Sequence, residues 1–158
     1  MANQECPTPA VPAAVIDPAK QAMLLSALYI AQEQDGYLKR EAIERIAGRL
    51  GLNPGQVYST ASFYTLFRTE PVGRYVIQVC DGISCYLCDG AGRIADYISA
   101  KLGIRPGDTS KDGKFTLEMV QCLASCGTAP AMRVNDQLYE NLTPASIDAI
   151  LERLLGEV

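Results

Sequence analysis

Residues 71–88 read Pro71-Val72-Gly73-Arg74-Tyr75-Val76-Ile77-Gln78-Val79-Cys80-Asp81-Gly82-Ile83-Ser84-Cys85-Tyr86-Leu87-Cys88, and the fold turns on this stretch. Pro71-Val72-Gly73 ends a helical periodicity. Arg74–Val79 replaces it with a run rich in β-branched residues, which reads as a buried strand delivering Cys80 at its end. A loop through Cys85 then leads into a helix over about 88–102, with Ile94, Ala95, Ile98 and Leu102 on its inward face.

Downstream the pattern stays mixed. Asp112-Gly113 marks a turn, and Phe115, Leu117 and Met119 alternate along a second strand. Ala131–Val134 and Leu138–Glu140 flank Asn135-Asp136, a hairpin signal. Thr143-Pro144 caps a last helix whose inward residues are Ile147, Ile150, Leu151 and Leu154. The order β-α-β-β-β-α predicts an α/β sandwich over 70–158.

Upstream, three helical signals predict a small bundle over 17–68. The first helix is capped by Asp17-Pro18, runs over 18–34 and closes at Asp35-Gly36. A second covers about 39–50, with Ile43, Ile46, Ala47 and Leu50 on one face and Gly51 as its stop. Asn53-Pro54-Gly55-Gln56 has the form of a capping box and opens a third, running through about Phe67. Residues 1–16, rich in Pro and Ala and holding Cys6, read as a flexible tail.

Composition narrows the chemistry. Among 158 residues there is no histidine, which removes Rieske ligation, histidine-bound haem, mixed Cys/His zinc sites and every nucleophile–histidine dyad. Six cysteines in a chain expected to be intracellular point to metal or redox chemistry. A net charge of −4 gives no basic field for nucleic acid or anionic lipid. No apolar run approaches the roughly 20 residues of a membrane span, and the first residues lack the basic and apolar regions of a secretory signal. No direct membrane insertion is expected.

Cys80 and Cys85 are separated by four residues, Cys122 and Cys126 by three. Both pairs fall where a strand runs out into a loop, so two loops at one edge of the sheet can converge. Four thiolates so placed meet the ligand demand of a [2Fe–2S] cluster, two for each iron. Gly82, Ser84, Ser125 and Gly127 around them allow backbone N–H groups to approach the sulfurs.

Three rival readings share these residues. A four-cysteine zinc site uses the same thiolates, though its pairs are usually separated by two residues. Cys80, Cys85 and Cys88 reproduce the C-x4-C-x2-C spacing of plant-type ferredoxins. Cys85-Tyr86-Leu87-Cys88 is a C-x-x-C at a helix start, the thioredoxin-type redox arrangement. It accounts for neither Cys80 nor the second pair. As an ordinary residue, Cys88 is a small, partly buried side chain on a first helical turn. Gly90-Ala91-Gly92 is too short for a phosphate loop and reads as close helix packing. The aromatics of Thr60–Phe67 have helical spacing, which suits a core or a partner surface. No set of groups provides a general acid and base.

With these residues in view, the sequence resembles the 24-kDa-type subunits of respiratory complex I, thioredoxin-like [2Fe–2S] ferredoxins of the NADH-oxidising module. The resemblance rests on TASFYTLF, PVGRYVIQVC, the CDGISC pair, DGKFTLEMVQCLASCGTAPAMRVND and YENLTP, and covers about residues 20–155. It implies a thioredoxin-like [2Fe–2S] ferredoxin domain preceded by three helices, one cluster, and Cys80, Cys85, Cys122 and Cys126 as its ligands, without Cys88. It also implies a flavoprotein partner that binds NADH and FMN, and the other subunits of a peripheral arm. The expected setting is the cytoplasmic side of the inner membrane, within a membrane-associated complex. Subunits of NAD-linked hydrogenases and formate dehydrogenases look alike, and a free-standing ferredoxin-like carrier is a further alternative. On any of these readings the isolated chain is an electron carrier without catalysis of its own.

Overall fold

The computed structural model describes residues 18–88 and 90–156. The tail over 1–16 with Cys6, and the Asp17 cap, lie outside the described residues. The chain divides between Thr69 and Glu70 into two compact units.

The first unit is all helix. α1 spans Pro18–Asp35, α2 Arg40–Leu50 and α3 Pro54–Phe63. Gly36 and Gly51 both adopt positive φ, where a side chain would be strained, and so close α1 and α2 at the stops expected from sequence. The Asn53 side-chain oxygen accepts from Gly55 N–H at 2.8 Å, while Gln56 Oε1 accepts from Asn53 N–H at 3.1 Å. The predicted capping box opens α3. Leu24, Leu28, Leu38, Ile43, Ile46, Ala47, Leu50, Val57, Ala61 and Phe67 form one core.

α3 ends four residues before the expected Phe67, at Phe63. The cause is tertiary. Gln32 on α1 donates to Leu66 O at 2.9 Å and accepts from Arg68 N–H at 2.6 Å, while Leu38 N–H donates to Arg68 O at 2.7 Å. Those bonds satisfy the 66–68 backbone outside a helix. Of the aromatics in Thr60–Phe67 only Phe67 is buried, and Phe63 is 77% exposed.

The second unit is α/β. β1 covers Tyr75–Cys80, β2 Phe115–Val120, β3 Met132–Val134 and β4 Gln137–Tyr139, in the sheet order β2-β1-β3-β4. β1 and β2 run parallel, β3 antiparallel to β1 and β4 antiparallel to β3. Between β1 and β2 lie a short helix, α4, Ile83–Leu87, where the sequence predicts a loop, and a longer one, α5, Ala91–Leu102. A parallel pair needs a crossover, and α5 supplies it. The helix predicted over 88–102 begins three residues later, at Ala91, and Cys88 lies before it, at the end of α4.

One face of the sheet carries the main core. Tyr75, Ile77, Val79, Phe115, Leu117, Met132 and Val134 pack with Ile94 and Ile98 of α5 and with Ile147, Ile150, Leu151 and Leu154 of α6, Pro144–Gly156. Each such aliphatic side chain, fully buried, stabilises by roughly 1.5–3 kcal/mol. Leu102 is only partly buried and Met119 is exposed near the end of β2, so the expected inward faces shorten at their ends. On the other face a polar row crosses three strands: Arg133 donates to Gln78 Oε1 at 2.6 Å, and Gln78 Nε2 donates to Glu118 at 2.8 Å. Buried Gln78 therefore keeps both ends of its amide paired. Thr143 and Ser146 cap each other's backbone N–H at the start of α6. Asn135, at φ +51°, turns the β3–β4 hairpin.

Candidate metal centre

Because β1 and β2 are parallel neighbours, their carboxyl ends lie at the same end of the sheet. Cys80 is the last residue of β1 and pairs in register with Val120, the last of β2, so Cys122 follows two residues beyond. Topology alone brings one cysteine of each pair to a common edge. Gly82 shows how close the two loops approach: a Cβ built there would lie 3.4 Å from Cys80 Sγ, 3.5 Å from Cys122 Cβ and 3.1 Å from Gln121 O. The thiol of Cys80 donates to Gln121 O across 3.7 Å.

α4 places Cys85. Gly82 caps it in extended conformation, Tyr86 N–H donates to Gly82 O at 2.9 Å and Gly90 N–H to Cys85 O at 3.0 Å. This single helical turn sends Ile83, Tyr86 and Leu87 outward and Cys85 inward, to 2% exposure. Cys80, Cys85 and Ala131 form a small buried cluster, with Leu123 and Ala129 packed on it. A Cβ on Gly90 would meet Pro130 Cβ at 2.4 Å, so the junction of α4 and α5 presses on the loop before β3. The Gly90-Ala91-Gly92 motif therefore serves close packing as expected, but of helix start against proline at Gly90, with open space at Gly92.

The second pair sits on irregular backbone. Ala124 has φ +59°, and its N–H donates to Cys122 Sγ at 3.3 Å. Cys126 opens a 3-10 turn, Cys126–Thr128, against which α4 packs. Both Cys122 and Cys126 are exposed.

The sulfurs have amide partners. Burial pushes the Cys80 thiol up, but the backbone N–H groups of Gly82 and Leu123 and the neighbouring Cys85 outweigh it, and the net direction is down. Cys85 moves the other way. Burial raises it, one N–H from Ala131 opposes, and the negative charges that Cys80 and Cys126 can carry raise it further.

Two thiol pairs at one edge of the sheet suit a two-iron cluster, which takes two cysteines per iron. Amide donors at Cys80, Cys85 and Cys122 supply the hydrogen bonds that such sulfurs need, so the residues present fit the group. All five described cysteines are free. Cys88 is exposed at the end of α4, contrary to the expected partly buried place on a helix start. The C-x-x-C of Cys85 and Cys88 likewise lies at the end of a helix rather than at its start. The backbone donors of Leu123 and Ala131 carry no side-chain signature that a sequence could reveal.

The chain is similar to known proteins over most of its length. It is 44% identical over 135 residues, 85% of this chain and 80% of the relative, to an NADH-quinone oxidoreductase subunit of Rhizobium meliloti (strain 1021). It is 40% identical over 136 residues, 85% of this chain and 75% of the relative, to "NADH-quinone oxidoreductase subunit 2" of Thermus thermophilus. Among solved structures, an NAD+-reducing [NiFe]-hydrogenase in the air-oxidized state aligns with a TM-score of 0.77 at 29% identity. That alignment covers 86% of this chain and 23% of the hydrogenase chain, so this chain spans about a quarter of that one's length. Residues 13–155 match the family described as thioredoxin-like [2Fe–2S] ferredoxin. The chain therefore belongs to the thioredoxin-like [2Fe–2S] ferredoxin family.

Proposed function

We propose that this chain is the one-electron carrier subunit of the NADH dehydrogenase module of respiratory complex I. In this reading Cys80, Cys85, Cys122 and Cys126 hold one [2Fe–2S] cluster. The observation that carries it is the meeting of two cysteine pairs beyond the paired carboxyl ends of β1 and β2. Likeness to NADH-quinone oxidoreductase subunits over 85% of the chain supports the parent complex.

A bound [2Fe–2S] cluster supplies a single-electron acceptor and donor for exchange with the FMN of the NADH-binding subunit. The protein's own residues do the rest. The inward turn of α4 at Cys85 and the end of β1 at Cys80 keep both thiols out of water in one small apolar cluster, and the amides of Gly82, Leu123, Ala124 and Ala131 hold the sulfurs by hydrogen bonds. The helical unit of α1–α3 docks the flavoprotein, and the α/β unit is the cluster domain. The exposed Phe63, Tyr64 and Leu66 of the bundle are the apolar anchors that an obligate interface uses. The assembly, with the other peripheral-arm subunits, works on the cytoplasmic side of the inner membrane. No described helix is long and apolar enough to cross one.

The hydrogenase alignment favours a second reading, the equivalent subunit of an NAD-linked hydrogenase. One experiment addresses the function directly: mix the full-length, cluster-loaded chain with its flavoprotein, add NADH and freeze-quench for EPR. A reduced [2Fe–2S] signal should appear only when the flavoprotein is present. No reduction in the reconstituted pair would overturn the reading, and co-purification with a nickel–iron subunit in place of a membrane arm would give the hydrogenase one.

A further inference from the structure

The exposed cysteine loop is held by a side chain from elsewhere in the unit. Glu140 follows the end of β4, and its Oε1 accepts hydrogen bonds from both Ser125 and Thr128, the latter at 2.5 Å. The two hydroxyl oxygens lie 2.6 Å apart. Ser125 stands between Cys122 and Cys126 in sequence, directly bonded to Cys126, and Thr128 ends the 3-10 turn that Cys126 begins. Beside this contact the backbone zips the same two segments together, Asn141 N–H to Thr128 O at 2.8 Å and Leu142 N–H to Pro130 O at 3.0 Å. The rest of the loop is exposed and irregular, with Ala124 at positive φ, and is anchored chiefly through Leu123 on the buried cluster and α4 against the 3-10 turn.

We propose that Glu140 is a positioning residue of the metal centre: through Ser125 and Thr128 it clamps the Cys122–Cys126 loop, and its fixed negative charge lowers the cluster's reduction potential. The inference rests on the cluster reading given above. Two hydroxyl protons converge on one carboxylate oxygen, whose lone pairs accept both, and the full negative charge of the ionised acid strengthens each bond. The same two hydroxyls hold the Glu140 carboxyl below the usual carboxylate range, so it is charged at neutral pH. Adding one electron to a cluster near a fixed anion costs more than adding it without that anion, and the potential falls accordingly.

Charge and clamp separate by substitution. Glu140→Gln keeps a carbonyl oxygen for both hydroxyls and removes the charge. Its cluster should remain bound as long as in the native protein, while the midpoint potential, from an EPR-monitored redox titration, rises. Glu140→Ala removes both, so the potential should rise and the cluster should be lost to a chelator roughly tenfold faster, the scale of losing charged hydrogen bonds. The pair Ser125→Ala with Thr128→Val keeps the charge and breaks the clamp. Faster loss without a rise in potential is expected there. Glu152→Gln, an exposed carboxylate on α6, serves as the control and should change neither reading. A native potential in Glu140→Gln together with a native loss rate in Glu140→Ala would overturn the proposal. Native protein that binds no iron and sulfide would instead overturn the cluster reading on which it rests, so the two failures are told apart.

Discussion

The two cysteine loops meet at one edge of the sheet but are secured by different physics. Cys80 and Cys85 lie on regular structure, a strand end and a helical turn, and are buried in a small apolar cluster with Ala131. Cys122 and Cys126 lie on exposed irregular backbone tied down by hydrogen bonds, from Ala124 N–H to sulfur and from Ser125 and Thr128 to Glu140. Burial fixes the first loop whether or not a ligand is there, because its side chains are already part of a packed interior. The second depends on polar contacts that compete with water, each worth less and each easily replaced. On the proposed ligand set, the site would have a preformed half and a half that ligand binding completes.

Substitution of single cysteines probes this contrast with the largest expected effect. Replacing either Cys85 or Cys126 by Ala should abolish or severely weaken the cluster, measured as iron and acid-labile sulfide. Their iron-free forms should then part. Cys85→Ala removes a buried group and should cost about 1 kcal/mol in urea unfolding, whereas Cys126→Ala should stay within about 0.5 kcal/mol of native. Equal costs would show that the first loop is no more preformed than the second.

Glycines test the contrast on a different footing. A methyl on Gly90 would collide with Pro130, so Gly90→Ala should destabilise the fold by about 1–3 kcal/mol. Gly127, in the second loop, has open space about it, and Gly127→Ala should change stability by less than about 0.5 kcal/mol. Thermal unfolding of the two iron-free variants reads the difference. The smallest effect belongs to Cys88→Ser. This exposed thiol at the end of α4 should leave iron content, EPR shape and stability at native values. Loss of the cluster in Cys88→Ser with retention in Cys126→Ala would reinstate the plant-ferredoxin spacing.

Legibility from sequence follows the same divide. The β1 strand, the Asn53 capping box, the Gly51 stop and the inward face of α6 all have strong local signatures and lie where the residues place them. α4 looks like loop in the sequence because five residues are too few to show a helical period. The early end of α3 depends on Gln32, more than thirty residues away, and no local signal reports such a bond. At the site, cysteine spacing names the four candidate thiols, but not the amides that support them. Glu140 escapes notice for a related reason: a single acidic residue after a hairpin is ordinary until the chain brings Ser125 and Thr128 against it.

The proposed role requires two pairs of thiols to hold two irons, and the most direct measurement is the metal itself. Full-length protein purified without oxygen should contain about two irons and two acid-labile sulfides per chain, and one-electron reduction should bleach its visible absorption and give a spin-half EPR signal. A colourless protein carrying one zinc per chain, with no labile sulfide, would contradict the account.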